Sequence, residues 1–157
     1  MLSERNIIHI DDYDFGNGQK LKDRYFIILH NENGLSIIFT GITKRDRIPD
    51  KFQPLVDDKR CIKHDDDFVH CYFFPKDKII GENGFCFKKN SFIYMGQNIQ
   101  EIVTDHILNK YDEKIKLKDK IEIDEFFELI YCIYKSKFIK NKFTILFEKK
   151  LDDHYGS

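Results

Sequence analysis

The first two-thirds of the chain carries short apolar runs separated by polar, glycine-containing segments, which is the pattern of β-strands joined by turns. The run NIIHI predicts one strand, and RYFIILH and LSIIFT predict two more around the sequence Asn-Glu-Asn-Gly. Asn and Gly tolerate positive φ, so these two runs predict a hairpin. Counting outward from a turn at residues 31–34 places His30 opposite Leu35 and Arg24 roughly opposite Gly41.

The last third of the chain changes to a helical period. QNIQEIVTDHILNK, IDEFFELIYCIYKSKFIK and NKFTILFEKKL each repeat apolar residues at helical spacing, so each predicts a helix. The segment between the first two, YDEKIKLKDKIEI, alternates apolar and polar residues and stays ambiguous, since its lysines disfavour a central strand. LDDHYGS is expected to be a frayed tail. Strands followed by helices predict an α+β fold, with a small curved sheet or barrel and helices packed at one end.

Composition narrows the class of protein. The chain has 157 residues, which predicts one domain, and 41% of them are hydrophobic, enough for a core. The net charge of -1 gives no general attraction to nucleic acid or to membranes, so any polyanion must bind a local patch. Apolar runs are too short to cross a bilayer, and the N-terminus has acidic residues where a secretory signal has an apolar stretch. These features predict a cytoplasmic protein whose four cysteines are reduced thiols.

One local patch stands out in the segment SIIFTGITKRDRIP, where an apolar strand gives way to hydroxyls, a glycine and cations. The predicted hairpin brings Arg24 beside this segment. Cations there would neutralise a phosphate, a threonine hydroxyl would hydrogen-bond its non-bridging oxygen, and Gly41 would allow close approach. Two interpretations fit these residues alone, a phosphodiester site and a solvated pair of strand ends. The candidate residues are Lys22, Arg24, Thr40, Thr43, Lys44, Arg45 and Arg47.

Metal-ligand types occur in CIKHDDDFVHCYFF. Cys61 and His64 have a suitable Cys-x-x-His spacing, but His70 and Cys71 are adjacent and would point to opposite faces of a strand. We therefore expect no metal and no cofactor.

Aromatic residues are abundant, with 15 Phe and 8 Tyr. Aromatic side chains exposed between basic residues can stack on nucleic-acid bases. Alternating Phe in strands is, however, the ordinary filling of a small β-core, so most of these residues are expected to be buried. The sequence has neither a Gly-x-Ser-x-Gly nucleophile pattern nor a Gly-rich phosphate loop before a helix, which disfavours a serine or cysteine hydrolase.

The order of these features resembles the PemK/MazF family of toxin endoribonucleases. The segments that carry the resemblance are IIHIDDYDFGNGQKLKDRYFIIL, LSIIFTGITKRDRIP and NSFIYMGQNIQEIV, within roughly residues 5–108. The resemblance implies an SH3-like β-barrel at 1–108 and a type II toxin that cleaves single-stranded RNA sequence-selectively without a metal. It also implies that Arg24 and Thr43 form the catalytic pair. The implied partners are a cognate antitoxin and a second copy of the chain in a homodimer, with neither membrane nor DNA. Alternatively, the C-terminal helices could cover the dimer face and keep the chain monomeric.

The sequence departs from the family in three ways. The usual Arg-Pro pair is Arg24-Tyr25 here, the loop from residue 44 to 67 is longer and more charged, and a lysine-rich helical extension at 109–157 has no counterpart in compact members. We expect this extension to pack on the barrel. The alternative hypothesis is a barrel-type module that binds protein or RNA without catalysis.

Overall fold

The protein is described by a computed structural model that covers residues 1–45, 60–64, 69–96 and 98–156, without the side chains of His64 and Val69. Its strands are β1 Asn6–Tyr13, β2 Lys22–Glu32, β3 Ser36–Gly41, β4 Thr43–Arg45, β5 Cys61–His64, β6 Val69–Phe74, β7 Asn90–Tyr94, β8 Ile99–Val103 and β9 Ile115–Lys120. Its helices are α1 Thr104–Tyr111, a 3-10 turn Asp112–Lys114, α2 Ile123–Tyr134 and α3 Asn141–Tyr155. The α+β prediction is confirmed.

The described strands form two antiparallel sheets. Sheet A has the order β8-β3-β2-β1-β9, and sheet B has the order β4-β7-β6-β5. Only Ile42 separates β3 from β4, so one extended segment passes from sheet A into sheet B. Within the described ranges no hydrogen-bonded ladder closes the two sheets into a barrel, and the SH3-like barrel stays a prediction.

Each sheet has two faces with separate packing partners. The inner faces of both sheets enclose the main core together with α2 and α3, through residues such as Ile27, Tyr72 and Phe126. The outer face of sheet A packs on α1, through residues such as Phe26 and Ile107. The outer face of sheet B carries Ile62, Cys71, Phe73 and Phe92, all buried. The prediction that most aromatic residues of the β-region are core residues is therefore confirmed.

The hairpin of β2 and β3 forms as predicted, but its register differs. Phe26, not Arg24, lies opposite Gly41, and Glu32 pairs with Ser36 across a turn at residues 33–35. The turn uses positive φ at Asn33 and Gly34, as the sequence indicated. The register differs because the turn lies at residues 33–35, so that His30 pairs with Ile38 and not with Leu35. A bulge between Ile28 and His30 then adds one residue to β2 and reduces this shift from three residues to two.

The helix predicted over residues 97–110 is wrong in its first half. Ile99–Val103 is strand β8, which pairs with β3, and α1 begins only at Thr104. Ile99 and Ile102 are three residues apart, as on one helical face, yet in the strand they point to opposite faces. Ile99 packs in the main core and Ile102 packs on the side of α1, so both apolar side chains are packed against other residues.

The ambiguous lysine-rich segment is β9, which pairs with β1 at the edge of sheet A, away from its centre. Strand β9 comes after residue 109 in the chain, where the second domain is predicted to begin. The domain boundary at 108/109 stays a prediction. The predicted frayed tail is wrong, because α3 continues to Tyr155. Leu151 of this helix is buried, and the His154 ring stacks on Phe127 with ring centroids 3.7 Å apart. None of the helices in the described ranges has the length and apolar character needed to cross a membrane.

A buried carboxylate ties β9 to the loop that contains residues 81–85. The Asp119 side chain is 5% exposed and accepts backbone N–H hydrogen bonds from Asn83, Phe85 and Lys120, at 3.0, 3.0 and 2.6 Å. Burial alone would raise the pKa of Asp119, but these hydrogen bonds outweigh it and the pKa lies below its ordinary value. The carboxylate is thus held ionised inside the fold.

Cys61 of β5 and Cys132 of α2 form a disulfide, whereas Cys71 and Cys86 are free. The prediction of four reduced thiols is therefore wrong for this pair. Cys132 lies in a segment whose apolar period indicates only a helix, and nothing in the sequence pairs it with Cys61.

Candidate phosphate-binding site

Arg24 lies on the outer face of sheet A, near the end of the sheet where β3 passes into β4. Alternate residues of a strand share a face, and Arg24 follows the same alternation as the buried Phe26 and Ile28 of β2. Its guanidinium carbon lies 4.9 Å from the centre of the Phe15 ring and 5.6 Å from that of Phe26. Two aromatic rings therefore fix the guanidinium group through cation–π contacts.

Gly41 makes this position possible. A Cβ atom on Gly41 would lie 2.5 Å from both Cζ and Nη2 of Arg24, closer than atoms can approach. The guanidinium thus occupies the space that any other side chain at residue 41 would take. The predicted proximity of Arg24 to Gly41 is confirmed, although it arises from the side chain reaching across and not from direct cross-strand pairing.

Thr43 and Arg45 continue the same outer face onto sheet B. Thr43 pairs with Phe92 and Arg45 with Asn90, so both side chains share the face of Phe92. Because Gly41 and Thr43 are two residues apart in an extended segment, they are separated by about 7 Å. Arg24 and half-buried Thr43 therefore flank one strip of surface, and we call Arg24, Gly41, Thr43 and Arg45 the outer-face cluster.

Aromatic rings run along the sheet B end of the outer-face cluster. Phe73 and Phe92 stack with centroids 5.0 Å apart, and Phe92 stacks on Tyr94 at 5.9 Å. The Arg45 Nε donates a hydrogen bond of 2.8 Å to the Tyr94 hydroxyl. Tyr94 is partly exposed, so it offers a flat ring next to a cation at the surface.

The electrostatic state of Arg24 suits an anion. Burial lowers the pKa of Arg24 below its ordinary value, yet a guanidinium keeps its charge at any physiological pH. Within the described part of the chain, Arg24 forms no ion pair with a carboxylate, and its guanidinium interacts with the Phe15 and Phe26 rings and with Tyr13. A half-buried cation without a carboxylate partner is a ready binding group for a phosphate.

The other predicted residues do not all join this cluster. Thr40 points to the inner face, is fully buried, and donates its hydroxyl to the Gly41 carbonyl at 3.2 Å. Lys44 pairs with Ser91 on the inner side of sheet B, and its ammonium lies 4.5 Å from the centre of the Tyr25 ring. Lys22 is exposed and shares the alternation of Arg24, which places it on the outer face. Arg47 lies outside the described residues.

Lys44 instead belongs to a group of titratable residues at the inner edge of sheet A. Burial lowers the pKa of Lys44, and Lys89 contributes in the same direction. The Nδ1 atom of nearby His9 lies 3.1 Å from the Oδ1 atom of Asp11, and the His9 ring packs edge-to-face on Tyr25. Burial also lowers the pKa of His9, which favours a neutral imidazole. This imidazole is on the opposite face of the sheet from Arg24.

A cavity of about 480 Å³ on the α1 side of sheet A was not foreseen from sequence. Tyr13, which interacts electrostatically with Arg24, forms part of its wall and stacks on Tyr111 with centroids 5.3 Å apart. Asp14 and His106 also line it. In the sequence His106 falls at helical spacing with Ile102 and Ile107, and this spacing by itself indicates a helix and no cavity.

Comparisons with known proteins give no further assignment. The chain matches no protein-family model, and no curated protein matches its sequence significantly.

Proposed function

We propose that the outer-face cluster binds a phosphodiester of single-stranded RNA and that the protein is a sequence-selective endoribonuclease, the toxin of a type II toxin–antitoxin system. The observation that carries the proposal is the Arg24 guanidinium, held over Gly41 by two aromatic rings, unpaired by any described carboxylate, and on the same face as Thr43. An SH3-like barrel, a cognate antitoxin and a homodimer belong to the same proposal and rest on the family resemblance.

The proposed reaction uses the RNA's own nucleophile. The 2′-oxygen attacks the adjacent phosphorus, the bond from phosphorus to the 5′-oxygen breaks, and the 2′-hydroxyl proton leaves as the 5′-oxygen gains one. The products are a 2′,3′-cyclic phosphate and a 5′-hydroxyl. Arg24 would stabilise the charge that builds on the phosphorane, and the Thr43 hydroxyl would hold a non-bridging oxygen. Neither role needs a metal ion.

The surroundings of the cluster favour a single strand. Bases that are free of a duplex can stack on exposed aromatic rings, and partly exposed Tyr94 lies beside Arg45. Lys22, exposed on the same face, would contact a neighbouring phosphate. Lys44 and Thr40 are left out of this proposal because they point to the inner side.

A non-catalytic RNA-binding module is the second candidate, and a specific observation favours it. Among the described residues, none of the imidazoles or carboxylates contacts Arg24, and His9 lies on the opposite face of sheet A. Proton transfer in the endoribonuclease would then fall to groups such as Asp14 and His106 across the adjacent cavity, or to solvent.

The two candidates are separated by incubating the folded protein with a mixture of single-stranded RNAs in the presence of EDTA. The endoribonuclease predicts discrete fragments with 5′-hydroxyl ends. Binding without cleavage of any sequence, measured by fluorescence anisotropy on the same RNAs, would support the module instead. Neither binding nor cleavage would refute both.

A further inference from the structure

Three potential metal ligands from three elements converge on the inner face of sheet B. The His70 Nε2 of β6 lies 3.2 Å from the Cys61 sulfur of β5 and 3.4 Å from the Cys132 sulfur of α2. All three ligand atoms lie within 4.8 Å of one another. The adjacent Cys71 points to the outer face, as the alternation of a strand requires. Cys132 thus replaces Cys71 as the partner of Cys61 and His70.

This donor set matches the preference of a soft or borderline metal. Zn²⁺ is bound by Cys sulfur at about 2.3 Å and by His nitrogen at about 2.0 Å, so tetrahedral geometry separates the nitrogen and sulfur ligands by about 3.5 Å. The two observed nitrogen–sulfur distances are close to that separation. Two sulfurs on one zinc ion are about 3.8 Å apart, however, so a bound ion and the disulfide exclude each other.

The site is accessible from the side of Cys61. His70 is 4% exposed and Cys132 is fully buried, so both ligands are shielded from bulk water. Cys61 is half-buried and lines a cavity of about 600 Å³ together with Glu125 and Glu128. This cavity gives an ion a path to the three ligands and gives water access to a fourth coordination position.

We propose that Cys61, His70 and Cys132 form a Zn²⁺ site in the reduced protein, in place of the disulfide. Reduction requires two electrons and two protons, and a thiol reductant supplies them when two of its thiols become a disulfide. The ion then binds the two sulfurs as thiolates and releases their two protons, with neutral His70 as the third ligand. This site is separate from the outer-face cluster and does not depend on RNA cleavage.

Co²⁺ is a spectroscopic probe for this site, because a cobalt ion bound by thiolates absorbs strongly through ligand-to-metal charge transfer. We expect the chain reduced with a phosphine to bind one Co²⁺ with this absorption, and Zn²⁺ to displace it. Cys61→Ser, at the accessible edge of the site, should abolish the absorption. Cys86→Ser is the matched control, because Cys86 is also partly exposed but lies outside the cluster. It should leave the absorption intact.

Thiol alkylation mapped by mass spectrometry tests the wild-type chain independently of any variant. Zn²⁺ should slow alkylation of half-buried Cys61 at least tenfold while Cys86 reacts as before, and a chelator should restore the rate. The proposal is overturned if the folded, reduced chain shows no charge-transfer absorption, if the absorption persists in Cys61→Ser, or if Zn²⁺ fails to protect Cys61.

Discussion

Gly41→Ala disturbs the proposed site without removing any of its charges. The new methyl carbon would lie 2.5 Å from the Arg24 Cζ, whereas ordinary van der Waals contact begins at 3.4 Å. The guanidinium must therefore move by about 1 Å, and a misplacement of that size costs about 100-fold in rate. Gly41 does not adopt a positive φ, so alanine fits the backbone and should change stability by less than about 1 kcal/mol.

The assay compares single-turnover RNA cleavage and thermal unfolding of four proteins: wild type, Gly41→Ala, Arg24→Ala and the double variant. If the methyl group acts only by displacing the guanidinium, Gly41→Ala should have no further effect once Arg24 is absent. Cleavage by Gly41→Ala at the wild-type rate would refute the reasoning. An equal loss in the presence and absence of Arg24 would also refute it, because the glycine would then act through something else.

Two further predictions concern other residues. Thr43→Val should lower cleavage roughly tenfold or more with an unchanged Tm, whereas Thr40→Val, which removes a buried hydroxyl, should shift stability by about 1 kcal/mol and leave the cleavage rate unchanged. The pKa of Asp119 is lower in the folded protein than in the unfolded chain, so the ionised carboxylate stabilises the fold. This contribution to the free energy of unfolding is complete above the unfolded pKa of about 3.9 and is lost as the pH falls toward the lower folded pKa. Asp119→Asn should lower the free energy of unfolding, measured with urea at neutral pH, by about 2 kcal/mol. Below pH 4 the variant should lose less stability than the wild type does, and an equal loss in both proteins would contradict this.

Local patterns were enough to predict the hairpin and the amphipathic helices, because turn residues and apolar periods act within a few positions of one another. The β2 bulge and strand β8 were not predictable in the same way. A bulge depends on which strand lies beside the bulged one. Strand β8 forms because it pairs with β3 and because its apolar residues are covered on both faces, on one of them from the side of α1. The helical spacing of Ile99 and Ile102 fits a strand equally well once both faces are covered.

The candidate site shows the same limit. The sequence placed Arg24 near Gly41 and Thr43, since all three belong to one hairpin and its continuation. It did not indicate that the strand continues through Ile42 into β4, and without that alternation Thr40 and Lys44 were grouped with side chains that point the other way. Cys132 was missed because its neighbours Cys61 and His70 are more than 60 residues away along the chain.

The most direct test of the proposed function is the single-turnover cleavage rate of Arg24→Ala on single-stranded RNA, measured beside its unfolding temperature. Loss of one preorganised contact to the transition state predicts a fall of about 100-fold or more with the fold intact. Arg24→Lys should recover only part of the rate, because an ammonium lacks the planar fork of a guanidinium. An Arg24→Ala protein that cleaves RNA as fast as the wild type would contradict the proposal that this arginine forms the phosphate site.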